Sequence, residues 1–496
     1  MKLYLALDIG TSSTKASLYR ENGVCISSAS AGYELHYPKA GWAEQNPLDW
    51  WQAVQLTCRQ VLQGVDCQAL RSVCVSGQAP SCVPVDRLGQ PLRPAILWLD
   101  RRAAEEALWL RDLLADMPLE QESGNVLDSY YGGVKWAWFL RHEPELYAQT
   151  WKILQASSFV LLRLSGEAVV DHSQAGLCSP CYHLPQRVWN ARVCERMGLD
   201  SARLPALRAS SQVAGQVTRQ ASEATGIPVN TPLVCGGGDF ACACLGAGVL
   251  QPGSAAMMLG TAGNLLAPAP RRTDWRLFNT VHVTGESLSL GGVLAGGAVR
   301  WFLEMLGGPA DSLLATLESE AQAIPPGAEG LLFLPYLLGE RTPIWDPHAR
   351  GAFLGLSTRH GRGHLYRAVL EGVALAYRQM AEIFKEMDSP IREVIAINGG
   401  ARSPLWRQIF ADVLQVPVRW RPESGGTALG AAFLAAWGVG DFRSPADLGA
   451  WLEPTVDMLP NPAHAPIYDR LFAIFSPLYE RLKDSLHALA EEGKAG

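Results

Sequence analysis

No stretch of 18 consecutive apolar residues occurs in this chain, so the sequence offers no membrane span. Neither sign of charge dominates. Lys and Arg number 42 against 48 Asp and Glu, for a net charge of -6, which gives no field drawing nucleic acid or an anionic membrane. Neither is expected as a partner. Paired cysteine patterns are also scarce. The 11 cysteines are odd in number and scattered, Cys178-Ser-Pro-Cys181 is a single CxxC, and Cys242 and Cys244 are too close to complete the usual zinc spacing. They read as reduced thiols, and the expected location is the cytoplasm. No apolar leader is expected either, since acidic Asp8 interrupts the stretch where a signal peptide would be apolar.

What is present is a long chain rich in core-forming residues. At 496 residues and 48% apolar, two or more domains are expected. The opening segment, Leu3-Tyr4-Leu5-Ala6-Leu7-Asp8-Ile9-Gly10-Thr11-Ser12-Ser13-Thr14-Lys15, carries the most information. A short apolar run reads as a buried strand, a small-residue turn follows, and Ala16-Ser17-Leu18-Tyr19 continues as a second strand. Asn22-Gly23 then predicts a hairpin to Val24-Cys25-Ile26. The first tip presents a carboxylate, a glycine, hydroxyls and Lys15. These parts suit a magnesium polyphosphate, with Asp8 holding a hydrated Mg2+. They equally describe an ordinary polar hairpin.

The chain repeats this device. Ala255-Ala256-Met257-Met258-Leu259 ends in Gly260-Thr261-Ala262-Gly263, and Asn264-Leu265-Leu266-Ala267 continues beyond. Two such copies suggest a duplicated α/β unit with a cleft between the halves. A third run, Val394-Ile395-Ala396-Ile397, meets Asn398-Gly399-Gly400-Ala401-Arg402-Ser403, and a helix is predicted over Leu405 to Leu414. Glycines opening a helix let backbone N–H groups face an anion, or let a flat ring lie on bare backbone. Gly425-Gly426-Thr427-Ala428-Leu429-Gly430-Ala431-Ala432 reads as a small-residue helix start suited to close packing.

Between the two hairpins, Thr231-Pro-Leu-Val-Cys235 runs into Gly236-Gly237-Gly238-Asp239-Phe240. A kinase acting on an alcohol needs a carboxylate to accept the hydroxyl proton, and Asp239 is the candidate base. Its structural alternative is a cap on the helix that Ala241-Cys-Ala-Cys-Leu245 begins. Trp98-Leu99-Asp100-Arg101-Arg102 and Gln78 follow other apolar runs and supply the aromatic face and bidentate groups that suit a polyhydroxylated ligand. Core packing for Trp98 and an exposed ion pair for Arg101 are the structural alternatives.

Nearly the whole chain resembles the FGGY carbohydrate kinases. Gly351-Ala-Phe353-Leu-Gly355-Leu356, then seven residues, then His364-Leu365-Tyr-Arg-Ala368-Val369-Leu370-Glu371 fits the family's C-terminal signature. Leu334-Pro335-Tyr336-Leu-Leu-Gly339-Glu340-Arg341-Thr342-Pro343 resembles the stretch before it. Lys135-Trp136-Ala-Trp138-Phe139-Leu-Arg141-His142 fits the N-terminal signature, with Gly132 where that pattern wants Pro, Ser or Thr. The resemblance implies two actin-like, ribonuclease-H-like α/β domains with a catalytic cleft between them, expected over 1–245 (acceptor and first phosphate loop) and 246–496 (ATP), the final helices packing on either one. It implies ATP and Mg2+ as cofactors and assigns roles to matching residues. Asp8, Gly10, Thr11 and Ser12, with Lys15 beside them, match the first phosphate loop, and Asp8 is the metal residue. Gly260 and Thr261 match the second loop. Gly399, Gly400 and Ala401 match the adenosine motif, with Arg402 and Ser403 beside it. Asp239 matches the base. Gln78, Trp98, Asp100, Arg102, Tyr130, Asp239 and Phe240 line the acceptor side. A homodimer follows by analogy.

Among subfamilies the pattern is most similar to xylulokinases, through Gly41-Trp42-Ala-Glu44-Gln45-Asn46-Pro47, the Gly-Glu-Arg-Thr-Pro stretch and Gly-Gly-Ala-Arg-Ser-x-x-Trp. It departs from them at Ala79-Pro80-Ser81, where Met-His-Gly is usual, and at Phe240, where Asn is usual. Glycerol kinases carry an Arg-Glu-Thr motif near Gln78 that is missing here, while Tyr130 and Asp100-Arg101-Arg102 look more like that group. The expected reaction is ATP-dependent phosphorylation of D-xylulose to D-xylulose 5-phosphate. Other ketoses and glycerol-, erythritol- or pentitol-type polyols are the alternative acceptors. An actin- or chaperone-like ATPase and a sugar sensor without catalysis are the alternatives of another class.

Overall fold

A computed structural model describes residues 1–307, 310–422 and 425–492, and these divide into two compact units. The first gathers the described residues of Met1–Leu250, Asn279–Leu288 and Ser424–Leu452; the second gathers Gln251–Phe278, Ser289–Glu423 and Glu453–Gly496.

In the first unit the opening apolar run forms β1 (Leu3–Ile9) because both its faces are covered. Leu3, Leu5, Leu7 and Ile9 pack with Trp50, Val54 and Cys58 of the helix Pro47–Val61. On the other face Tyr4 is buried and its hydroxyl donates to Asp441 at 2.9 Å. Further strands are β2 (Ser13–Arg20), β3 (Cys25–Gly32), β4 (Leu70–Gly77), β5 (Val213–Gln216) and β6 (Pro232–Gly238). The sheet order is β5-β6-β4-β1-β2-β3. β1, β2 and β3 run antiparallel, β2 and β3 being joined at Gly23 by the expected Asn-Gly turn with φ +80°, whereas β4 is parallel to β1 and to β6. Asp8 pairs with Ser76, Ile9 with Gly77, and Gly238 with Gly77. The carboxyl ends of β1, β4 and β6 therefore stand level, the edge at which open α/β sheets bind ligands.

The second unit contains β7 (Ser254–Leu259), β8 (Ala262–Pro268), β9 (Ser287–Leu294, in this unit from Ser289), β10 (Glu393–Ile397), β11 (Val418–Trp420) and β12 (Val456–Met458). These stand in the order β9-β8-β7-β10-β11-β12. β7 and β8 are antiparallel; β10 is parallel to both β7 and β11. With the antiparallel edge strands β5 and β12 set aside, the remaining five strands of each unit, counted in chain order, stand in the same order, 3-2-1-4-5. This is the actin-like, ribonuclease-H-like arrangement, and the repeat of the sequence device is a repeat of topology.

The last two helices, Ala465–Phe475 and Leu478–Glu492, belong to the second unit. Tyr468 donates to buried Glu371 at 2.8 Å, His464 lies 2.7 Å from Asp412, and Tyr479 and His487 meet Asp346 at 2.5 and 2.6 Å. The helix Gly426–Gly438 instead joins the first unit. Its small residues let it lie against the helix Asp239–Gly246 so closely that a Cβ on Gly430 would stand 2.0 Å from the Cys242 carbonyl oxygen. Among the described residues no helix is long and apolar enough to cross a membrane.

Candidate active site

The level strand ends of the first unit bring several predicted residues to one edge. Asp8, near the end of β1, accepts from the Ser76 hydroxyl at 3.0 Å and pairs across the hairpin with exposed Lys15. Burial pushes the Asp8 carboxyl above the ordinary carboxylate range, with Ser76 and Lys15 pulling the other way. The turn after β1 is pinned from several sides. Gly10 N–H donates to Ser13 O at 3.1 Å, Tyr33 Oη donates to Gly10 O at 2.5 Å, and Tyr33 N–H donates to Ser12 O at 3.3 Å. The Ser12 side chain remains exposed.

Gln78 and Trp98 are tied to that same turn. The Thr11 hydroxyl donates to Gln78 Oε1 at 3.2 Å and accepts from Trp98 Nε1 at 3.0 Å. Gln78 Nε2 donates to Gly10 O at 3.3 Å and to Gln45 Oε1 at 3.0 Å, while Gln45 Nε2 donates to Thr11 O at 2.7 Å. Trp50 Nε1 completes the network by donating to Gln45 Oε1 at 3.1 Å. Sequence reasoning quoted Gln45 in a motif without giving it a role. Its burial, which a single sequence does not show, is what makes it an internal polar hub.

Asp239 is the first residue of the helix Asp239–Gly246, and Gly238 occupies the cap position. Its Oδ1 accepts from Phe240 N–H at 2.7 Å. Asp8 is close enough that its charge, after burial the larger cause, helps raise the Asp239 carboxyl to about 7. Neither Asp8 nor Asp239 is fully buried as a residue. The strand end beneath is clamped: Ser173 Oγ accepts from Gly238 N–H at 2.9 Å, and buried Asp171 accepts from the Ser173 and Gln174 N–H groups and from the Ser210 hydroxyl. The ring of buried Phe240 lies over Gly238, where a Cβ would stand 2.4 Å from it.

Asp100 and Arg102 are spent largely on each other. Asp100 accepts from Ala43 N–H, from Arg102 N–H and Nε, and from Arg102 Nη2 at 2.6, 2.9, 2.9 and 2.7 Å. Both side chains are 0% exposed, and Arg102 also reaches Glu44 at 2.7 Å. Its guanidinium lies 3.5 Å from the ring centre of Trp42 and 4.9 Å from that of Trp138. This staple holds the segment that ends in Gln45. Arg102→Met should therefore destabilise the protein by about 3–5 kcal/mol, the cost of stranding a buried ion. Urea unfolding checks this; an unchanged midpoint with only a weaker acceptor affinity would mean that the pair is not structural. Arg101 forms the half-exposed ion pair that was its structural alternative, 2.6 Å from Asp128. Tyr130 stands edge-on to Trp98, ring centres 6.4 Å apart, with its hydroxyl 3.5 Å from Ala79 O.

In the second unit, Gly260 and Thr261 form the turn between β7 and β8. Their carbonyls accept from Gly296 and Gly297 N–H at 2.8 and 2.9 Å, so the helix Gly296–Leu306 starts on this turn. Gly399 to Arg402 make a short turn after β10. A Cβ on Gly399 would meet nothing within 4 Å, whereas one on Gly400 would strike Trp406 and Leu259, so only the Gly399 side is open. Ala401 is buried and Arg402 exposed. Ser403 caps the helix Pro404–Leu414 through Trp406 N–H at 3.0 Å and donates to Glu318 at 2.9 Å.

Comparison with known proteins agrees with both units. The profiles described as the N-terminal and C-terminal domains of the FGGY family of carbohydrate kinases match residues 3–246 and 256–439. A xylulose kinase of Bacillus subtilis is 32% identical over 99% of this chain and 99% of its own. The crystal structure of a xylulose kinase from Rhodospirillum rubrum matches with TM-score 0.91 at 33% identity, covering 98% of this chain and 100% of that one. That of a gluconate kinase from Lactobacillus acidophilus matches with TM-score 0.92 at 25% identity, covering 98% and 99%.

Proposed function

Because this chain belongs to the FGGY family of carbohydrate kinases, we propose that it transfers the γ-phosphoryl group of ATP to a hydroxyl of D-xylulose, giving D-xylulose 5-phosphate. The observation that carries the reading is Asp239 set beside Asp8 and the Gly10–Ser12 turn at the level ends of β6, β4 and β1. Asp239 accepts the hydroxyl proton as the acceptor oxygen attacks the γ-phosphorus. Backbone N–H groups of the turn and the exposed Ser12 hydroxyl meet the transferring phosphoryl group, while Lys15 balances its charge. In the second unit, Gly260 and Thr261 take further phosphate, and the open backbone of Gly399, with Ala401 and exposed Arg402, takes the adenosine.

Mg2+ fits Asp8. Among the described residues no group of three or more His, Cys, Asp or Glu is placed to hold a metal. A single accessible carboxylate is what a hydrated Mg2+ riding on phosphate oxygens requires. When bound, the ion would neutralise phosphate charge and the Asp8 charge that opposes ionisation of Asp239. Asp8 would hold it through water, and Ser76 Oγ fixes Asp8 by its hydrogen bond. The eleven free thiols suit a cytoplasmic enzyme.

D-Xylulose is chosen because the two xylulose kinases above are about one-third identical to this chain along its length. Phe240 and Ala79-Pro80 keep a second reading in view, an acceptor presenting an apolar carbon face, such as a polyol. A panel of D-xylulose, D-ribulose, gluconate, glycerol, erythritol and pentitols in a coupled ADP-release assay tests the choice. D-Xylulose should give the highest kcat/KM. A polyol or gluconate exceeding it would move the assignment within the family, and ADP release indifferent to every acceptor would favour a plain ATPase.

A further inference from the structure

Lys135 lies in the helix Gly132–His142 and is 0% exposed, an unusual place for an ammonium. Among the described residues no carboxylate pairs with it directly. It donates instead to two consecutive main-chain carbonyls, Ser129 O and, at 2.7 Å, Tyr130 O. The same turn is gripped from outside. Asp128 Oδ1 accepts from Tyr130 N–H at 2.7 Å and from Arg101 Nη1 at 2.6 Å, and Tyr131 N–H donates to Asp128 O at 3.1 Å. Tyr130 stands edge-on to Trp98, whose indole N–H bonds the Thr11 hydroxyl of the phosphate turn. A continuous chain thus runs from the buried ammonium through Tyr130 and Trp98 to Thr11.

We propose that Lys135 is a positioning residue for the acceptor: from beneath the Asp128–Tyr131 turn its ammonium fixes the Tyr130–Trp98 aromatic wall on which the acceptor's carbon face rests. The inference rests on the kinase reading above. The groups facing Lys135 are Arg101, Asp100, Asp128 and the thiols of Cys82 and Cys178. Burial, helped by Arg101, brings its ammonium down to about 7, against the pull of Asp100 and Asp128. The charge-assisted bonds to Ser129 and Tyr130 therefore weaken as pH rises through neutrality.

The test is steady-state kinetics of wild type and Lys135→Met with D-xylulose, or whichever acceptor the panel ranks first, and with MgATP. The variant should raise the acceptor KM by about 10-fold or more while the ATP KM changes less than about 2-fold, since it loses charge-assisted bonds only on the acceptor side. The wild-type acceptor KM should climb several-fold from about pH 6 to about pH 8.5 while the ATP KM stays level. An unchanged acceptor KM in the variant, or an equal rise in both KM values, overturns the proposal. Should the variant fail to fold, the wild-type series decides, and a flat acceptor KM across that range overturns it. Wild-type protein that turns over no acceptor is instead a failure of the kinase reading, and this inference falls with it.

Discussion

Asp239→Asn should lower acceptor-dependent ADP release by about 100-fold or more while leaving ATP and acceptor binding close to wild type, the loss expected when an essential general base is removed. The amide is nearly isosteric and can still accept from Phe240 N–H, so the helix start at 239 keeps its geometry. What disappears is the proton acceptor. In the wild type, burial and the nearby Asp8 charge hold the Asp239 carboxyl up at about 7. The acceptor kcat/KM, which reports ionisation of the free enzyme, should therefore fall as pH drops below about 7, where the carboxyl is protonated and cannot act as a base. The same shift has a thermodynamic side. The folded-state pKa lies above the unfolded value, so stability is greatest below the ordinary carboxylate range and declines as pH rises through about 7. The amide carries no charge and escapes this decline. Denaturant titrations should find the inactive variant more stable than wild type at pH 8 and no more stable at pH 4. A variant that is both inactive and unfolded would not support a catalytic role.

The second large effect is on the fold. Gly430→Val should prevent recovery of native protein, or cost about 3 kcal/mol or more, the upper range for overpacking a tight core. A Cβ at 430 would lie 2.0 Å from Cys242 O and 2.9 Å from Gly246 N, and one at 246 would lie 2.1 Å from Gly426 O. These neighbours are backbone, so no rotamer change relieves the clash and the two helices must move apart. Both helices are buried through most of their length, and the one that moves begins with Asp239. Surviving protein should therefore also show reduced kcat. Gly449→Ala is the control: a Cβ there meets nothing within 4 Å, and the unfolding midpoint should stay at the wild-type value.

The parts of this account that are local along the chain were legible in the sequence. The Asp8 turn lies between two adjacent strands, and its copy at Gly260-Thr261 recurs with the same antiparallel hairpin. The small-residue segment at Gly425 to Ala432 forecast close packing, but the helix it packs against begins at Asp239, far back along the chain. Sequence distance hides such a contact, and it also hides the grouping of the helix Gly426–Gly438 with the first unit. Asp100 and Arg102 were visible as a charged motif beside an aromatic. That their polar atoms are turned inward depends on Trp42 and Trp138, brought in from separate segments to lie against the guanidinium with their rings nearly perpendicular. Thr11, Gln78 and Trp98 were read as separate phosphate and acceptor residues. Their mutual hydrogen bonds join the two roles in one network, and register between β1 and β4 supplies that join. Lys135 was seen only as part of a signature, because burial of a lysine leaves no mark in a single sequence.

On the proposed mechanism Asp239 takes the proton while the phosphoryl group passes from ATP to D-xylulose. Its most direct test is ADP release by wild type and Asp239→Asn in the presence and absence of D-xylulose with Mg2+. Release should depend on D-xylulose, be matched by an equal amount of D-xylulose 5-phosphate, and be nearly abolished in the variant. Release independent of the acceptor, or retained in the variant with both ligands bound, would contradict it.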